Sequence, residues 1–99
     1  MANWIRTTGA TETVTPKDGK SFRLEELQRF VGGCVEALQL NDGTVMWLNE
    51  DGKQERLPLN ETADLIAHEQ SGIAWHDRIV GDVLIATRAE TGDDQPDRD

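Results

Sequence analysis

The sequence predicts an α+β fold: a mostly antiparallel sheet of five or six strands with two short helices packed on one face, in the order β-β-α-β-β-β-α-β. Three observations point to it. An amphipathic segment, Leu24–Val31, stops at Gly32-Gly33. Two strand-like runs flank the turn Asn41-Asp42-Gly43. A near-continuous apolar run over residues 79–87 has the character of a central strand.

Residues 3–8 and 11–15 are rich in β-branched side chains around Gly9-Ala10, which suggests a hairpin whose polar second arm is an edge. Pro16 ends it, because proline cannot donate to a ladder. In the first helix Leu24, Leu27 and Val31 share a face, with Phe30 beside them. Glu25 and Glu26 lie where the helix dipole favours negative charge. Phe22 is placed to staple onto Leu27 if Arg23 is the cap, although Ser21 is the better cap chemistry. Gly32 and Gly33 accept the left-handed conformation that stops a helix.

Residues 34–40 and Thr44–Asn49 form the clearest hairpin. Val45, Met46, Trp47 and Leu48 do not alternate with polar residues, which implies burial on both faces. Residues 50–53 are a turn, and residues 54–57 read as a short return strand ended by Pro58. Asn60 caps a second helix, Glu61–Gln70, with Ala63, Ile66 and Ala67 inward and Gly72 at its end. In the last strand, Gly81-Asp82 suggests a bulge or bend.

The chain has 99 residues, which fits one domain over residues 1–88 and a disordered acidic tail over residues 89–99. From Glu90 onward there are five acids, one arginine and nothing apolar to bury. The net charge is −9, and the ten basic residues form no stripe. Direct nucleic-acid binding is therefore disfavoured, since its affinity comes from Lys and Arg. An anionic membrane surface is disfavoured likewise, and no apolar run approaches a membrane span. A protein partner with a basic surface suits this charge. A single cysteine, Cys34, and the lack of a signal-like N-terminus fit a cytoplasmic setting.

No catalytic constellation is apparent. His76-Asp77 is the nearest pair, but neighbours on an extended segment point apart. Cys34 is expected to pack as a small hydrophobe. His68 and His76 lack the cysteines or spaced carboxylates of a metal site, and Glu50-Asp51-Gly52 and Asp42-Gly43 lack calcium-loop spacing. No cofactor or metal is therefore expected, and the chain reads as non-enzymatic. Trp4, Trp47 and Trp75 are the candidate interface residues, because an exposed indole is a common anchor. The sheet edges also invite a homodimer.

Several segments together resemble a known family. They are Leu24 to Gln28 with Val31-Gly32-Gly33, Val35-Glu36, Asn49-Glu50-Asp51-Gly52-Lys53, Leu57-Pro58-Leu59-Asn60, and residues 79–85. In this order they resemble domain of unknown function family 3846, over about residues 17–87. Arg23 at the cap, the tryptophan set and the acidic tail depart from the pattern. The resemblance implies a phage, plasmid or mobile-element setting and carries no activity, cofactor or site residue. The reading is a small non-enzymatic protein of mobile-element type that acts by protein–protein binding. Two alternatives are an acidic nucleic-acid mimic that inhibits a host defence nuclease or effector, and a module that sequesters a small ligand.

Overall fold

Strand β1 (Ala2–Ile5) opens the chain and pairs antiparallel with β2 (Thr11–Val14). The computed structural model describes residues 2–71, 73 and 77–91. Helix α1 (Leu24–Val31) follows, then the hairpin of β3 (Val35–Gln39) and β4 (Thr44–Asn49), helix α2 (Glu61–Gln70) and strand β5 (Val83–Thr87). The sheet order is β2-β1-β5-β4-β3, and every neighbouring pair is antiparallel. The apolar run of β5 thus occupies the centre.

The two helices lie on opposite faces of this sheet, which corrects the expectation that they share one. Side chains alternate along a strand. On one face Ile5, Met46 and Val83 pack with Ala63 and Ala67 of α2. On the other, Ala2, Leu84 and Ala86 pack with Phe22 and Leu27 at α1. Burial on both sides is what the unalternating run in β4 requires.

Local chemistry explains the boundaries. Arg23 stands at the N-cap of α1, yet a guanidinium has no acceptor for the orphan N–H groups. Glu26 compensates from inside the helix. Its carboxylate accepts the N–H of Arg23 at 2.9 Å and that of Lys17 at 2.9 Å. Phe22 and Leu27 are both buried in the same cluster, as a staple demands. Gly32 ends the helix at φ 82°, with its N–H on the Gln28 carbonyl at 2.8 Å.

Asn60 is fully buried and ties three elements together. Its Oδ1 accepts the Ala63 N–H at 3.0 Å, and its Nδ2 donates to Ile5 O at 3.0 Å and Gly81 O at 2.9 Å. Two strand expectations are corrected. Residues 54–57 form no strand; residues 50–56 are consecutive turns, closed by Leu57 N–H to Gly52 O at 3.0 Å. Gln54, Glu55 and Arg56 have no apolar side chain to bury, so a ladder would gain little. The last strand begins at Val83 rather than residue 79, because Gly81 sits at φ 81° and bends the chain. Before that bend only an isolated bridge joins Val80 to Leu59.

Beyond β5 a 3-10 turn, Ala89–Thr91, stays tied to the fold. The Glu90 carbonyl accepts the Phe22 N–H, and its carboxylate accepts the Thr87 N–H at 2.9 Å. This places residues 89–91 with the body instead of the tail; the rest of the expected tail lies outside the described residues.

Candidate functional site

Two of the three indoles expected to anchor an interface are half-buried on the α1 side of the sheet. Trp4 is half-buried, meets Phe30 edge-on at 5.1 Å and donates its Nε1–H to the Phe30 carbonyl at 3.1 Å. The Arg6 guanidinium lies over its ring at 3.7 Å. Trp47 is half-buried in the same cluster on the α1 face. Trp75 and His76 lie outside the described residues. Asp77, the other half of that pair, is joined in an ion pair to Lys53.

Cys34 is exposed, which corrects the expectation that it packs as a hydrophobe. It immediately precedes β3, the strand at the edge of the sheet. His68 lies on α2 with Nδ1 2.8 Å from the Asp64 carbonyl oxygen, and among the described residues no group of three metal-ligating side chains converges.

A concavity lies on the α2 side of the sheet, over β3 and β4. It holds about 340 Å³. Leu38, Leu48, Ile73 and Ile79 give it an apolar floor, while Glu36, Glu50, Asp51 and Asp77 rim it against Lys53 and Arg78. Arg78 also borders an open groove of about 450 Å³ beside Leu59 and Leu65. Those leucines are 42% and 61% exposed, so a continuous surface runs from the acidic rim to unburied apolar side chains.

Among the described residues, three of the four rim acids are free of local backbone work, whereas Asp77 accepts the Arg78 N–H at 2.9 Å. Asp18, Glu26, Asp42, Asp64, Asp82 and Glu90 each accept a backbone N–H and so serve local architecture. Glu36, Glu50 and Asp51 hold no such bond among the described residues. Their charge is left for solvent or for a partner. Sequence reading missed this surface because its parts come from four separate segments, each bland alone.

The chain matches the family model described as "Domain of unknown function (DUF3846)" over residues 5–98. It belongs to this family. Comparison with curated proteins and with solved structures returns no match. The DUF3846 match spans the whole described sheet from Ile5 onward, so the cleft and its rim are built entirely from family-matched residues.

Proposed function

We propose that this DUF3846 chain is a non-enzymatic binding protein whose partner is a protein with a basic surface, held at the cleft over β3 and β4. The observation that carries the reading is an apolar floor ringed by four carboxylates against two cations. An apolar side chain flanked by Lys or Arg is the natural complement, since the floor rewards burial and the rim rewards opposite charge. A cytoplasmic, mobile-element setting belongs to the same reading.

The nucleic-acid-mimic alternative draws less support. Its motive is acid concentrated on one face, whereas Glu25 and Glu26 lie on α1 and Glu61, Asp64 and Glu69 lie on α2, on the opposite side of the sheet. The ligand-sequestering alternative expected a pocket walled by Trp47 or Trp75. No indole among the described residues lines the cleft.

The test is affinity purification with the tagged chain, followed by reconstitution with the purified partner. The double charge reversal Glu36→Lys with Glu50→Lys is expected to weaken that reconstituted complex by about tenfold or more at physiological salt. Raising the salt is expected to weaken the parent complex. Equal affinity of parent and variant would overturn the reading, as would turnover of a small molecule by the purified chain.

A further inference from the structure

β3 is an edge strand whose outer side carries backbone groups with no partner among the described residues. The Cys34 carbonyl accepts the Glu50 N–H at 2.8 Å and the Leu40 N–H donates to the Thr44 carbonyl at 2.9 Å, so both ends of this even-numbered set face β4. The register pairs Glu36 with Leu48 and Leu38 with Met46 between them. Hydrogen bonding alternates along an antiparallel strand. The N–H and C=O groups of Val35, Ala37 and Gln39 therefore point away from β4, where the sheet ends.

Edges of this kind are commonly blunted by proline, lysine or a bulge. β3 reads Val-Glu-Ala-Leu-Gln and pairs with β4 without interruption. The small Ala37 at its middle is exposed, so access to the backbone is open there. The side chains of Glu36 and Leu38 line the acid-rimmed cleft. A strand laid along the outer side of β3 would set its alternate side chains beside that carboxylate and over that apolar floor.

We infer that the partner's bound segment is an extended strand that adds to β3 as a sixth strand, with a basic residue beside Glu36 and an apolar one beside Leu38. The inference rests on the partner-binding reading above and adds the binding mode. Main-chain bonds to Val35, Ala37 and Gln39 supply affinity, and alternate side chains supply selection. A second copy of the chain suits the edge less well. It would bring −9 against −9 and set two acidic rims side by side.

The probe is the peptide acetyl-Thr-Lys-Thr-Val-Thr-Lys-Thr-amide, whose lysines and valine share one face of an extended strand, titrated into the full chain and followed by amide NMR and hydrogen exchange. Binding is expected at roughly millimolar peptide or below. The amides of Val35, Ala37 and Gln39 should slow in exchange, while those of Glu36 and Leu38, already bonded to β4, change little. Ala37→Pro removes an outward donor and fills its place with the proline ring, yet leaves the β3–β4 ladder its bonds. It should keep the parent's circular dichroism and weaken the peptide by about tenfold or more.

Absence of binding, or unchanged exchange at the three outward amides, overturns the inference whatever the variant does. If Ala37→Pro binds as the parent does while Glu36→Lys with Glu50→Lys does not, the strand mode falls and the acidic-cleft reading stands. A concentration-dependent dimer that Ala37→Pro abolishes would assign the edge to a second copy and equally overturn it.

Discussion

Asn60 shows how one side chain decides three structural questions. Its amide caps α2, holds the end of β1 through Ile5 and fixes the bend before β5 through Gly81. Replacing it by alanine removes a cap and strands two buried carbonyls. Asn60→Ala should cost about 3 kcal/mol in chemical denaturation. The capping role was legible in the sequence, because asparagine before an apolar-periodic run has one obvious use. The two long-range bonds were not, since nothing local marks which carbonyls tertiary folding will bring near. Asp42 acts at closer range. Its carboxylate accepts the hydroxyl of Thr44 at 2.6 Å and the Thr44 N–H at 3.0 Å, and these bonds hold its pKa below the usual aspartate value. A lowered folded pKa stabilises the native state above the unfolded pKa, near 3.8, and that contribution is lost as pH falls through the lower folded value. Asp42→Asn keeps an acceptor but cannot titrate. Its melting temperature should fall less steeply than the parent's below about pH 4.

At the scale of elements, α1, α2 and the β3–β4 hairpin were readable because periodicity, caps and turn residues agree within each segment. The segment between β4 and α2 was not. Residues 54–57 looked like a return strand, but strand formation needs an apolar face to bury, and three of the four side chains, Gln54, Glu55 and Arg56, are polar. Gly81 decides the start of β5. At φ 81° a side chain is strained, and a Cβ there would lie 2.8 Å from Leu57 Cδ1. Gly81→Ala should destabilise the fold by about 2 kcal/mol, read as a shift in denaturation midpoint. The 3-10 turn after β5 makes a prediction about where the folded body ends. Truncation after Arg88 removes the acceptor of the Phe22 N–H and should cost about 1 kcal/mol more than truncation after Thr91. Equal stability of the two truncations would return residues 89–91 to the tail.

For the whole molecule, the acidic balance divides into two populations. Among the described residues seven carboxylates, Asp77 of the rim included, accept backbone N–H groups in turns, caps and loop ties, and these explain part of a net charge that composition alone could only call solubilising. Glu36, Glu50 and Asp51 gather at the cleft without such work. Sequence reading placed partner contact in the tryptophans; Trp4 and Trp47 are half-buried and pack against the α1-side cluster, on the face away from the cleft. The surface proposed for contact lies on the α2 side, over β3 and β4, and follows from the helices taking opposite faces. No periodicity within a single segment shows how far a short helix reaches across five strands. The most direct measurement is hydrogen exchange of the full chain, free and bound to its reconstituted partner. Protection gathered on β3, residues 48–54 and residues 77–80 is the predicted result; protection confined to α1 and the β1–β2 hairpin would contradict it.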